Sequence, residues 1–249
     1  MRQDGPTTIE EAEIARFDAA ADIWWDPNGD ARWLHRYNPV RVGYIRDIAC
    51  RTFDRDPSRP DCLRGLRVLD IGCGAGVLCE PLARLGATVV GADPARSNIR
   101  VAAAHAFEAG LEIDYRSQTA EALADAGERF DLVLAMEVVE HVADPGLFLR
   151  ACARLAAPGG LVVLSTINRT LKSFVQAIVI GEYVLRLLPR GAHQWNRFMK
   201  PDEIRSELDR SGLSTIDITG VTFDLRARAL RLSGRTGVNY ILAARRPGI

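Results

Sequence analysis

The chain has 249 residues, 47% apolar and 26% charged, which suits one large α/β domain or two small ones and is far from a disordered composition. Lys and Arg together number 32, as do Asp and Glu, so no overall positive field exists to hold a polyanion and no nucleic-acid partner is expected. Cys50, Cys62, Cys73, Cys79 and Cys152 are odd in number with no C-x-x-C pair, which predicts reduced intracellular thiols; the polar, acidic start is no export signal, and no apolar run is long enough for a spanning helix.

In chain order, residues 1–60 carry helical patterns with Trp24, Trp25 and Trp33 close together, and end in a Pro/Asp/Arg linker over 54–61. They read as an N-terminal helical appendage whose tryptophans either dock it or wall a cleft. Residues 61–249 read as the main domain. Strands are predicted near 66–71, 88–92, 112–115, 130–136, 160–166, 216–222 and 237–243, with helical patterns between them. The first, fourth and fifth are nearly continuous apolar runs, as central strands covered on both faces require. Pro94 and Pro145 each follow an Asp, which predicts an Asp cap with proline in the first turn. Gly86, Gly110 and Gly212 mark helix ends. An insertion over 168–200 carries a helix over 173–188, and the Arg-rich stretch before the last strand is too short for another helix. The expected architecture is a seven-stranded, mostly parallel sheet with an antiparallel last strand.

The run Asp70-Ile71-Gly72-Cys73-Gly74-Ala75-Gly76 ends the first strand and opens a helix. Its G-x-G-x-G spacing departs from the G-x-G-x-x-G of dinucleotide folds. Asp70 would repel a pyrophosphate and suits an ammonium. Asp93 ends the second strand, where a carboxylate can accept both hydroxyl hydrogens of a ribose, or simply cap a helix. S-adenosylmethionine, with an ammonium, a carboxylate, a sulfonium and a ribose, suits this set better than a nicotinamide dinucleotide. Met136, closing the fourth strand, would lie at the same sheet edge, near the adenosine or within the core.

These residues, with Trp24-Trp-Asp26, Leu34-His-Arg-Tyr-Asn-Pro-Val-Arg41, Met136-Glu-Val-Val-Glu-His-Val-Ala-Asp-Pro145, Pro158-Gly-Gly160, Ser165-Thr-Ile-Asn-Arg-Thr170, Gly181-Glu-Tyr183, Gly191-Ala-His193 and Val238-Asn-Tyr240, carry a resemblance. The chain resembles the ubiquinone-biosynthesis O-methyltransferases, class I enzymes dependent on S-adenosylmethionine, from about residue 17 onward. The resemblance implies a Rossmann-like class I methyltransferase fold and cofactor contacts at Arg41, Gly72, Asp93 and Met136, to which the glycine turn adds Asp70 and Gly74. Ala75 stands where the family often has glycine, and Ala192 where it usually has threonine. A guanidinium at Arg41 would fork onto the methionyl carboxylate as lysine cannot, or make an exposed salt bridge.

Methylating a phenol requires phenolate, and an unperturbed phenol of pKa about 10 is mostly protonated at neutral pH. Glu137, Glu140 and His141 follow the fourth strand and suit three roles. They could hold a divalent ion that acidifies a catechol, and the resemblance implies Mg2+. Alternatively His141 takes the proton while Glu140 orients the ring, or the acids merely cap and pair. The implied reaction moves a methyl to a phenolic hydroxyl of a polyprenylated catechol or demethylubiquinol intermediate. Other readings are another small phenolic acceptor, a non-catalytic scaffold of a quinone-biosynthesis complex, and a nicotinamide dehydrogenase. The wide apolar face of the insertion helix, flanked by Lys172, Arg186 and Arg190, is expected either to be buried or to lie on an anionic membrane surface as a lid. The expected location is cytoplasmic and peripheral to the inner membrane face, with other quinone-biosynthesis proteins as partners.

Overall fold

The computed structural model describes Thr8, residues 24–26, Gly29, 32–174, 195–224, Ala227 and 229–248. The strands are β1 (Arg67–Ile71), β2 (Thr88–Ala92), β3 (Asp114–Arg116), β4 (Phe130–Met136), β5 (Ala156–Ile167), β6 (Ser214–Asp224), β7 (Ala229–Ser233) and β8 (Asn239–Arg245). The main helices are α1 (Arg32–Thr52), α2 (Cys79–Arg84), α3 (Arg96–Glu108), α4 (Ala120–Asp125), α5 (Pro145–Leu155) and α6 (Pro201–Arg210).

The strands form one sheet in the order β3-β2-β1-β4-β5-β8-β6-β7. The five from β3 to β5 run parallel, and β8 pairs antiparallel with both β5 and β6. The expected antiparallel last strand is therefore present, wedged inside the sheet. One strand more than expected appears: β7 pairs antiparallel with β6, placing Leu230 opposite Phe223 and Leu232 opposite Val221. Its short Ala-Leu-Arg-Leu-Ser sequence with Arg231 exposed at its centre suits an unpaired sheet edge, and it lacks the apolar run that marks a central strand.

Alternation along the central strands sends side chains to two cores. Leu69, Val133, Val162 and Leu164 face α4, α5 and α6 on one side. Val68, Leu132, Leu134 and Val163 face α1 and α2 on the other, where Tyr44, Ile45, Ile48 and Ala49 are buried. The helix expected within an appendage is thus one wall of the main core. The side chain of Trp33 and most of the insertion, including the 173–188 helix beyond Phe174, Arg186, Arg190 and the 181–193 motifs, lie outside the described residues. Among the described residues, no helix is long and apolar enough to cross a membrane.

Asp144 caps α5 as expected, accepting from the Leu147 amide at 2.9 Å with Pro145 in the first turn. Asp93 does not cap its helix: α3 starts at Arg96, its N-cap is Ala95, and no side chain caps it. The carboxylate is turned instead toward the glycine-rich turn. Between β1 and β4 the chain order reverses, which opens a crevice at the carboxyl ends of these strands.

Candidate active site

The glycine-rich turn leaves β1 into that crevice. Gly72, Gly74 and Gly76 all have positive φ, at 67°, 53° and 84°. At Gly72 a Cβ would stand 2.6 Å from the Val138 side chain, and at Gly76 2.2 Å from the Tyr115 hydroxyl, so neither position admits a side chain. The Gly74 amide donates to Asp93 Oδ2 at 3.0 Å, while Asp93 Oδ1 accepts from the Ala95 amide at 2.8 Å. Asp93 therefore ties the turn to the end of β2.

A cavity of about 270 Å3 lies over this turn, and Arg41, Asp70, Gly72, Gly74, Asp93 and Met136 all line it. The residues read separately from spacing and from resemblance converge on one space. Asp70 is 2% exposed and accepts from Cys79 Sγ at 3.3 Å. Burial pushes its carboxyl up to about 7, with Asp93 and Glu137 adding to the push while the Cys79 bond and Arg41 oppose it. A cationic group beside Asp70 would relieve that penalty.

Trp24 also lines the cavity, its ring 3.3 Å from where a Gly74 Cβ would be. Trp25 fastens this segment: its indole Nε1 donates to the Ala75 carbonyl at 2.9 Å, and its ring stacks on His105 with centroids 3.4 Å apart. His105 Nδ1 meets Glu80 at 2.5 Å. Both expected tryptophan roles coexist, one residue docking and its neighbour walling. The sequence reading missed Gln118 and Glu121 in the cavity wall, and Thr8, whose hydroxyl donates to Glu121 Oε1 at 2.8 Å. For Gln118 and Glu121 the position after β3, at the edge of the same sheet, was the available signal.

The three residues after β4 separate. Glu137 turns to Arg41 and Ser165, accepting from Arg41 Nη1 at 2.7 Å and from Ser165 Oγ at 2.5 Å. Both Glu137 and His141 line the cavity. Glu140 does not: it is 4% exposed beneath the 3-10 turn Val139–His141, and burial, reinforced by the Glu137 charge, pushes its carboxyl up to about 8. Among the described residues no three His, Cys, Asp or Glu side chains are gathered to hold a metal ion. The expected Glu137, Glu140 and His141 set is therefore not gathered at one point in this structure: Glu137 and His141 reach the cavity, while Glu140, also expected to orient the ring, is buried outside its wall.

A sheet in this order with a glycine turn at its switch point defines a class I methyltransferase dependent on S-adenosylmethionine, and the methyltransferase domain family model matches residues 41–218. The solved magnesium protoporphyrin IX methyltransferase (ChlM) of Synechocystis PCC 6803 with bound SAH superimposes with a TM-score of 0.61 at 25% identity, over 94% of this chain and 99% of that one. Two relatives named ubiquinone biosynthesis O-methyltransferase share more. That of Methylobacterium nodulans is 56% identical over 243 residues, 98% of this chain and 97% of its own; that of Brucella anthropi is 53% identical over 247 residues, 99% and 100%. The chain belongs to the ubiquinone biosynthesis O-methyltransferase family.

Proposed function

We propose that this protein transfers a methyl group from S-adenosylmethionine to a phenolic oxygen of a polyprenylated catechol or demethylubiquinol. The carrying observation is the cavity at the carboxyl edge of β1, β2 and β4, where the residues suited to each part of the methyl donor meet around one space with His141 in its wall. The bound donor supplies an electrophilic methyl on a sulfonium. Asp93 accepts from the ribose hydroxyls, Asp70 balances the ammonium, and Arg41 holds the methionyl carboxylate. Gly72 and Gly74 let the backbone approach the nucleoside. His141 is the general base that takes the phenolic proton, so that the oxygen can attack the methyl in line. Trp24 in the cavity wall and the sheet edge would orient the acceptor toward the methyl group and limit the entry of water. A long-tailed acceptor would reach the cleft from an anionic membrane surface, with the apolar sequence over 173–188 as the point of contact.

Labelled S-adenosylmethionine incubated with polyprenylated catechols, short-tailed analogues and unrelated phenols, with and without a chelator, tests the reading. Label should enter the polyprenylated catechols, with activity surviving chelation. Loss of transfer on chelation with restoration by magnesium would replace the His141 base by a metal. Transfer only to unrelated phenols would overturn the acceptor. Sedimentation with anionic liposomes, lost in Ile180→Glu while a tail-less catechol is still methylated, tests the membrane contact.

A further inference from the structure

Arg41 is 4% exposed in the cavity wall, and its guanidinium is only partly satisfied by the protein. Nη1 donates to Glu137 Oε2 at 2.7 Å and Nη2 to Asn38 Oδ1 at 3.0 Å, while the guanidinium lies 5.2 Å from the Tyr37 ring centre. Nε is buried and has no acceptor among the described residues. The planar fork is thus committed at Nη1 and Nη2, while the donor on Nε is buried and unpaired.

Glu137 is held as firmly as it holds. Its Oε1 accepts from Ser165 Oγ at 2.5 Å, and its own amide donates to the Ser165 carbonyl at 3.0 Å. Its φ is +56°, in the left-handed region that non-glycine residues avoid, so the surrounding bonds keep it in a strained backbone state.

We propose that Glu137 is the positioning residue of Arg41. Anchored on β5 through Ser165, it fixes the guanidinium with the Nε edge left for the carboxylate of the methyl donor. The proposal rests on the reading of Arg41 as the methionyl-carboxylate contact. Cofactor and Glu137 occupy different edges of the fork, so binding needs no displacement of the ion pair.

Calorimetric titration with two probes tests it. S-adenosylhomocysteine carries the aminobutyrate end, and 5′-methylthioadenosine keeps the nucleoside without it. Glu137→Gln should weaken S-adenosylhomocysteine about tenfold and 5′-methylthioadenosine by less than about twofold, as loss of one charge-assisted contact to the arginine implies. Arg41→Ala should show the same selectivity more strongly, and the double variant should lose little beyond Arg41→Ala. Wild-type affinity should not depend on magnesium. Equal losses for both probes in Glu137→Gln, unchanged affinity for both, or magnesium-dependent binding abolished by Glu137→Gln would each overturn the proposal. An unselective Arg41→Ala would instead overturn the carboxylate assignment itself. If Glu137→Gln fails to fold, Ser165→Ala removes the anchor more gently and should give the same selectivity at about threefold; no selectivity there overturns the positioning role.

Discussion

Two stretches of this chain are equally dense in chemistry-bearing residues, yet the fold treats them differently. In the glycine-rich turn, Asp70, Gly72 and Gly74 stay together and Asp93 joins them across the sheet through the Gly74 amide. In the segment after β4, Glu137 and His141 both reach the cavity, Glu137 paired with Arg41, while Glu140 turns into the protein interior. The first is a strand-to-helix turn whose path is imposed by glycines that admit no side chain. The second passes through a positive-φ residue and a 3-10 turn, so that closeness in sequence carries no promise of a shared target. Spacing identifies a site when the backbone between the residues is geometrically determined.

The contrast can be broken most severely at His141. His141→Ala should lower methyl transfer by about 10²–10⁴-fold, the usual contribution of a general base, while S-adenosylmethionine affinity stays close to wild type. Single-turnover transfer and calorimetry would separate the two, and wild-type rates in the variant would return the segment to a purely structural role.

Asp93→Ala attacks the coherent half. It removes two ribose bonds together with the ties to Gly74 and Ala95, and affinity for S-adenosylmethionine should fall by roughly 100-fold or more. An affinity unchanged within about twofold, with the fold intact, would remove the ribose assignment.

The raised carboxyls offer a sharper comparison by pH. Asp70, at about 7 in the free protein, must ionise to meet the donor's ammonium, so affinity should weaken as pH drops below 7 and binding there should release a proton. Calorimetry in buffers of different ionisation enthalpy reads that proton, and a pH-independent affinity between 5.5 and 8 would contradict the pairing. Glu140 should act on stability alone. Its folded pKa, about 8, lies above the ordinary glutamate value, so the folded state binds the extra proton and stability falls as pH rises from about 4.5 to 8, by at most roughly 1.4 kcal/mol per pH unit. Glu140→Gln should flatten this dependence, leaving stability near wild type at pH 5 and higher than wild type at pH 9 in denaturant titrations, with methyl transfer near wild type.

The smallest effect is expected at Trp25→Ala. Losing the His105 stack and the bond to Ala75 loosens Trp24 over the turn, which should raise KM for S-adenosylmethionine a few-fold with little change in kcat. A fall in kcat with KM unchanged would place this segment at the acceptor instead.

Much of this was legible in the sequence because it depends on local rules. Period-two burial and continuous apolar runs located β1, β2, β4 and β8 to within a few residues, Asp144-Pro145 marked a true cap, and Gly86, Gly110 and Gly212 took the positive φ expected after helix ends. The G-x-G-x-G turn and Asp93 pointed to one cavity-lining set because steric freedom and carboxylate chemistry act within a few bonds. Tertiary structure alone decided what depends on partners distant in the chain. It made α1 a wall of the core, turned Asp93 from helix cap to turn tie, and added β7 as an edge strand whose stability comes from pairing with β6. It also gave Glu137 to Arg41, 96 positions away, and sealed Glu140 inside. A side chain's role there is set by which groups the fold brings within hydrogen-bond reach and by how much water it removes, and neither quantity is written in the spacing of residues along one segment.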